Sequence, residues 1–325
     1  MISIVVPAYN ESEGLKDFHA RLSAAMTPLG AWEVIYVNDG STDATLHVVE
    51  ELRAGDPHVG FVNLSRNFGK EIATTAGLDH ARGDAVVVID ADLQDPPELI
   101  PDLVSAWRAG TDMVYAQRRA RAGESWLKRI TADLFYRLMG RVGRVELPRN
   151  VGDFRLMSRR VVDALCQLRE QHRFMKGLFA WVGFPSVAVP YDRAPRAAGR
   201  TKWNYWSLWN LAIEGVTSFT VMPLKFATYV GLIIAVVAFI WALRILIGTL
   251  LFGSAVAGYP SLAIIMLFLG GVNLMTLGVI GEYLGRTFNE TKSRPLYFVE
   301  RFVAADTPSE LSAEPLGEFG SRSSR

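Results

Sequence analysis

Two long apolar stretches near the C-terminus constrain this chain more than any other feature. From Phe226 to Phe252 the one charged residue is Arg244, and from Tyr259 to Gly281 there is none. Each run exceeds the roughly 20 apolar residues that a helix needs to cross a hydrocarbon core. Buried core helices are usually shorter, so the runs predict a transmembrane hairpin over residues 223–285, with spans at about 226–252 and 259–284. The connector, residues 253–258, carries no charge. Lys225 precedes the first span, and Glu282, Arg286, Lys292 and Arg294 follow the second. Lys and Arg collect on the cytoplasmic side, which places both chain ends and the N-terminal region there. Arg244 lies near enough to the outer end of its span to snorkel. Gly271, Gly278 and Gly285 recur every seven residues. Small residues let membrane helices approach closely, either within the hairpin or across a subunit seam, and a homo-oligomer through these helices is expected.

The first residues carry no basic region and their apolar start halts at Pro7, so no cleaved leader is expected. Lys plus Arg number 34 and Asp plus Glu 33, a balance unlike that of a dedicated nucleic-acid binder. The single cysteine, Cys166, excludes an internal disulfide framework and a multi-cysteine zinc site. After residue 303 the chain is rich in Ser, Pro, Gly and Glu, and residues 304–325 read as a disordered tail.

The first 116 residues alternate short apolar runs, at 2–6, 34–37, 59–64, 85–89 and 113–116, with helix-period stretches such as Leu15, Phe18, Leu22 and Met26. That alternation predicts an α/β fold with a doubly wound, mainly parallel sheet. Ligands bind such sheets beyond the carboxyl ends of the strands. The polar segments fall there: Pro7-Ala8-Tyr9-Asn10-Glu11, Asn38-Asp39-Gly40-Ser41-Thr42-Asp43, Ser65-Arg66-Asn67-Phe68-Gly69-Lys70 and Asp90-Ala91-Asp92-Leu93-Gln94-Asp95. No dinucleotide fingerprint or P-loop is present. Asp90 and Asp92, with Gln94, offer hard oxygen ligands suited to Mg²⁺ or Mn²⁺, which bind through few carboxylates plus phosphate oxygens. The inferred ligand is a metal-bound diphosphate.

These three segments, 7–11, 38–43 and 90–94, together resemble the family-2 glycosyltransferases of GT-A fold. The run Asp92-Leu93-Gln94-Asp95-Pro96-Pro97-Glu98 is similar to the dolichol-phosphate-mannose-synthase-like branch. The hairpin makes the chain most similar to bacterial polyprenyl-phosphate (bactoprenol) glucosyltransferases, enzymes of the inner membrane. The Gln-x-x-Arg-Trp segment of processive polymerases is absent. The resemblance implies a nucleotide-sugar donor, with Pro7, Tyr9, Glu11 and Asp39 at the base and ribose. Asp90, Asp92 and Gln94 are implied at the metal and diphosphate. Arg66 and Lys70 are phosphate contacts or a solvated loop, and Tyr9 has packing as its plainer reading.

Residues 118–149 carry nine Lys or Arg against Glu124, Asp133 and Glu146. Trp126, Ile130, Leu134 and Leu138 at helical spacing predict a basic membrane-surface helix. A second amphipathic helix is expected over 203–222, then the hairpin, then a cytoplasmic juxtamembrane segment at 286–303. A polyprenyl phosphate acceptor accounts for the combination of bilayer and cations, with Arg118, Arg119, Arg200, Thr201 and Lys202 as phosphate-binding candidates and Arg173 and Lys176 behind them. The segment Gly199-Arg200-Thr201-Lys202-Trp203 resembles the family's Gly-x-Ser-Lys-aromatic run, with Thr in place of Ser. Asp153 matches the family's acceptor-side acidic residue. It reads as a base, as an orienting group, or as a cap for a helix over 158–165. Asp92, Asp153 and Arg200 are the catalytic candidates. The expected reaction is an inverting transfer from UDP-glucose, with GDP-mannose, UDP-N-acetylhexosamine and UDP-aminoarabinose open as donors and a non-catalytic scaffold as the other class. A separate flippase would then move the lipid-linked sugar.

Overall fold

The computed structural model describes residues 1–119, 151–171, 173–192, 222–252 and 258–306. These form two units, one holding the N-terminal residues through 192 together with 295–306, the other holding 222–294.

In the first unit the strands are β1 (Ile2–Ala8), β2 (Trp32–Asn38), β3 (Val59–Leu64), β4 (Ala85–Val88), β5 (Met113–Arg118), β6 (Val151–Ser158), β7 (Ser186–Tyr191) and β8 (Val299–Val303). The helices are α1 (Leu15–Met26), α2 (Thr45–Gly55), α3 (Lys70–His80), α4 (Ile100–Arg108), α5 (Arg159–Gln167) and α6 (Met175–Trp181). Strands order as β7-β5-β6-β4-β1-β2-β3-β8. The centre, β4-β1-β2-β3, is parallel. Every residue of β2, β3 and β4 is buried, as continuous Val- and Ile-rich runs require when helices cover both faces. Leu15, Phe18, Leu22 and Met26 of α1, at the spacing that puts them on one face, pack into the same core as Ile4, Val34, Tyr36 and Phe61. Helix α3 crosses so close to β1 that a Cβ on Gly77 would stand 2.2 Å from Val5 Cγ1.

The doubly wound core is as expected, but the sheet is mixed at both flanks. Strand β6 enters antiparallel between β4 and β5. Asp153 therefore lies inside a strand and caps no helix; the helix that follows begins at Arg159. On the other flank β8 joins β3 antiparallel. Its sequence, Val-Glu-Arg-Phe-Val, mixes charge with apolar residues and has the exposed pattern of an edge strand, so the segment shows no signal beyond a juxtamembrane linker. Residues 304–306, assigned from composition to a disordered tail, are instead fixed on the sheet. Ala305 is buried, Asp306 N–H donates to Pro57 O at 2.9 Å, and Arg53 pairs with Asp306 at 2.6 Å.

The second unit consists of α7 (Met222–Phe252) and α8 (Tyr259–Thr291). Among the described residues one segment, Phe268–Thr291, is long and apolar enough to cross a membrane, and none of it is buried; Gly231–Trp241 of α7 is a shorter apolar stretch. The segment in α8 extends past the expected end near 284, and Glu282 and Arg286 within it pair at 2.9 Å, one helical turn apart. Of the expected second amphipathic helix over 203–222 and the basic segment over 118–149, residues 203–221 and 120–149 lie outside the described residues, as does the chain after 306.

Candidate active site

Where the parallel strands end, the chain turns into a cleft of about 440 Å³. Pro7 and Tyr9 come from the end of β1, Asp39 from the residue after β2, and Lys70 from the first turn of α3. Asp90 and Asp92 follow β4, Arg118 ends β5, and Asp153 lies on β6. Glu11 and Lys176 also line it. Tyr9 is 39% exposed, which sets aside the packing reading.

The pairing of β4 with β6 brings two acids together. Val88, the last residue of β4, stands opposite Arg155; Asp90 follows Val88 by two residues and Asp153 precedes Arg155 by two, so both carboxylates reach one cation. Like charges facing each other across strands are destabilising. Lys70 resolves this: its Nζ donates to Asp90 and to Asp153, each at 2.7 Å. Burial pushes the Asp153 carboxyl up, but Lys70, Lys176 and Arg155 outweigh it and hold the group down at about 2. Asp153 Oδ1 is buried with no hydrogen-bond partner. A buried carboxylate oxygen is rarely left so, and the residue that carries it lines the cleft. Asp90, by contrast, is pushed up by burial and by Asp153, against the pull of Lys70. Arg155 is buried with its guanidinium 3.6 Å from the Phe179 ring centroid, and donates to Gly152 O at 3.0 Å.

Behind the cleft, Glu71 accepts from the N–H of Met175 at 3.2 Å. Burial, then the charge of Asp153, pushes its carboxyl up to about 7.

Two loops are built by side chains that serve the backbone. Asp39 accepts from the N–H groups of Phe68 at 2.7 Å and Gly69 at 2.9 Å, which fixes the approach to Lys70. Gly40, at φ +61°, passes so near the chain that a Cβ would meet Arg66 C at 2.3 Å; only glycine fits both demands. Leu93 holds a positive φ of 57° between Asp92 and Gln94. That conformation is costly for leucine, and the burial of its side chain in the core offsets it.

Arg118 donates to Tyr191 Oη at 3.1 Å and lies 3.7 Å from Asp95, while Tyr191 Oη hydrogen-bonds Asp95. Sequence reasoning missed Asp95 and Tyr191 as partners of Arg118; Asp95 stood in the quoted motif, but nothing local links it to residue 191. The other candidates are placed elsewhere. Gln94 is buried, and its N–H donates to Asp92 Oδ1 at 3.1 Å. Arg66 stacks on Phe68 at 3.9 Å, and Arg119 pairs with Asp192 at 3.7 Å; neither lines the cleft. Arg173 is buried and donates to Leu168 O. Arg200, Thr201 and Lys202 lie outside the described residues.

Among the described residues no group of three or more His, Cys, Asp or Glu side chains is arranged to hold a metal unaided. Asp90 and Asp92 do line one cleft. Two carboxylates completed by phosphate oxygens suit Mg²⁺ or Mn²⁺, so the donor set fits a metal that binds together with a diphosphate.

Residues 3–166 match the family described as glycosyl transferase family 2. The chain belongs to this family. As a family-2 glycosyltransferase it has relatives along nearly its whole length. An uncharacterized glycosyltransferase of Synechocystis is 54% identical over 299 residues, covering 92% of this chain and 94% of the relative. A prophage bactoprenol glucosyl transferase homolog of Escherichia coli K12 is 49% identical over 302 residues, covering 92% and 98%. The bactoprenol glucosyl transferase of Shigella phage SfV is 49% identical over 301 residues, with the same coverage. Among solved structures, mannosyl-3-phosphoglycerate synthase from Rubrobacter xylanophilus aligns with a TM-score of 0.48 at 19% identity, covering 66% of this chain and 71% of that one.

Proposed function

We propose that this glycosyltransferase transfers a hexose, from UDP-glucose, to a polyprenyl phosphate, with inversion at the anomeric carbon and with Mg²⁺ or Mn²⁺ bound at Asp90 and Asp92. The observation that carries the reading is the shared cleft: paired acids at the carboxyl ends of the strands face Lys70, Arg118 and Lys176 across one opening. Full-length relatives named bactoprenol glucosyl transferases support the acceptor and the sugar. The apolar segment Phe268–Thr291 supports a membrane-held enzyme, and the run 226–252, in which Arg244 alone is charged, is the candidate for the other span of the hairpin. Location in a bacterial plasma membrane, with the catalytic unit cytoplasmic, follows from the flanking cations.

In this reading Tyr9 and Asp39 border the nucleotide, and Asp90 and Asp92 face its diphosphate. A bound divalent cation supplies charge neutralisation at the departing diphosphate. Arg118 and Lys176 neutralise the acceptor phosphate, assisted by Arg200, Thr201 and Lys202 once the lipid headgroup arrives. A phosphate monoester is mostly dianionic at pH 7, since its second pKa is about 6, and needs no strong base. Asp153, held at about 2, is a poor proton acceptor and acts by orienting the cations around it.

The test is an assay of the purified full chain with UDP-glucose, undecaprenyl phosphate and Mg²⁺, reading UDP release and the mass of the lipid product. Matched release of UDP and formation of a hexosyl-phosphate lipid is the expected result. Turnover of a different nucleotide sugar in preference would overturn the donor; free sugar as the product would overturn the acceptor.

A further inference from the structure

Strand β8 reaches the active site through a chain of side chains. Glu300 Oε2 accepts from Asn63 Nδ2 at 2.9 Å. Asn63 Oδ1 accepts from Asn38 Nδ2 at 2.7 Å. Asn38 Oδ1 accepts from the N–H of Ser41 at 3.3 Å, and Ser41 Oγ accepts from the N–H of Asn10 at 3.0 Å. Both asparagines are buried, while Glu300 at the outer end of the relay is exposed. The relay runs from the C-terminal strand to the two loops that carry Asp39 and Tyr9.

Its direction is set at both ends, by the Glu300 carboxylate and by the Ser41 N–H. A carboxylate accepts and cannot donate, so Asn63 turns its NH₂ toward Glu300. That leaves the Asn63 oxygen for Asn38, which must present its own NH₂ and keep its oxygen for the Ser41 N–H. A donor in place of Glu300 would reverse each amide in turn and bring the Asn38 NH₂ against the Ser41 N–H. Donor facing donor in a buried site is strongly unfavourable.

We propose that Glu300 is a positioning residue for the nucleotide-binding loops, acting through Asn63 and Asn38. The proposal rests on the reading of the cleft as a nucleotide-sugar site. It also gives the C-terminal strand a role beyond closing the sheet edge: a segment that begins within eight residues of the end of α8 sets the geometry of the donor loops. Other bonds hold the strand in place. Tyr297 Oη donates to Asp79 at 2.7 Å, Arg301 pairs with Glu50 at 2.6 Å, and Arg82 Nη2 donates to Ala305 O at 2.9 Å. Loss of the Glu300 carboxylate therefore breaks the relay without releasing β8.

The experiment compares wild type, Glu300→Gln, Glu300→Ala and Glu300→Lys in the full chain, in detergent, with donor and acceptor varied separately. Glu300→Gln, whose amide oxygen accepts, matches wild type. Glu300→Ala raises the KM for UDP-glucose by about threefold to tenfold, the effect of one hydrogen bond, with kcat and acceptor KM within about twofold. Glu300→Lys, which reverses the relay, is worse than Glu300→Ala. Hydrogen–deuterium exchange without substrate is the second readout: residues 38–43 exchange faster in Glu300→Lys than in wild type, while β8 itself, residues 299–303, exchanges alike in the two. A flat donor KM across the four proteins, Glu300→Lys no worse than Glu300→Ala, or unchanged exchange at 38–43 overturns the proposal. Should the wild type fail to use UDP-glucose, the exchange result alone decides the relay, and the donor assignment falls separately.

Discussion

Lys70 Nζ sits between Asp90 and Asp153, 2.7 Å from each carboxylate, and is the group that lets two acids from distant parts of the chain face each other across β4 and β6. Arg155, two residues from Asp153, also lowers that carboxyl, but among the described residues only Lys70 bridges both acids by hydrogen bonds.

Removal of that cation should cost both stability and turnover. Lys70→Met is expected to lose about 1–2 kcal/mol, less than the ~3–5 kcal/mol of a fully buried pair, because the lysine side chain is 44% exposed and partly screened. The double variant Lys70→Met/Asp153→Asn should regain most of the stability and none of the activity. Chemical denaturation of the three proteins checks the first half; equal stability of the single and double variants would contradict the like-charge account.

In the proposed reading the acidic pair after β4 faces the donor diphosphate. Asp92→Asn keeps the shape and the acceptor for the Gln94 N–H but removes the charge. Activity should fall by about 10²-fold or more with folding intact. EDTA should silence the wild type, and Mg²⁺ or Mn²⁺ should restore it. Wild-type turnover by Asp92→Asn would remove the metal assignment.

Glu71 and Asp153 set opposite pH dependences. Asp153 has its carboxyl lowered to about 2, so its contribution is present above its unfolded value near 3.8 and is lost as pH falls toward 2. Glu71 is raised from 4.5 to about 7, so the folded state binds the extra proton between those values and stability drains away as pH rises through that window. Glu71→Gln should therefore gain relative to wild type at pH 8, by roughly 2–5 °C in Tm, and gain little at pH 5. A pH-independent difference in Tm would reject this.

Gly40→Ala adds a methyl at φ +61° and 2.3 Å from the Arg66 backbone. The loop at 65–70 must shift, which moves Lys70. Stability should drop by about 1–3 kcal/mol, and activity should fall more than that loss of folded protein explains. Thermal unfolding and initial rates on the same preparation separate the two.

Much of this was legible in the residues. The apolar runs at 2–6, 34–37, 59–64 and 85–89 needed two buried faces, and only a parallel sheet under helices supplies them. Once that was so, the polar loops had to gather at one edge, and Pro7, Tyr9, Glu11, Asp39, Lys70, Asp90, Asp92, Arg118 and Asp153 do line one cleft. Gln94 shared the motif but not the cleft lining, because the turn at Leu93, driven by burial, decides which neighbours point inward.

What the sequence by itself determined is therefore local: the period of each element, the loop in which each charged group sits, and the long apolar runs near the C-terminus. The tertiary structure alone decided the insertion of β6 between β4 and β5, the capture of β8 by β3, and with them the Lys70 bridge, the Arg118–Tyr191–Asp95 cluster and the Glu300 relay. The physical reason is range. Periodicity and capping act over a few residues, whereas strand pairing is settled by the burial and register of segments separated by more than sixty residues of chain, and no local pattern encodes which of them will meet.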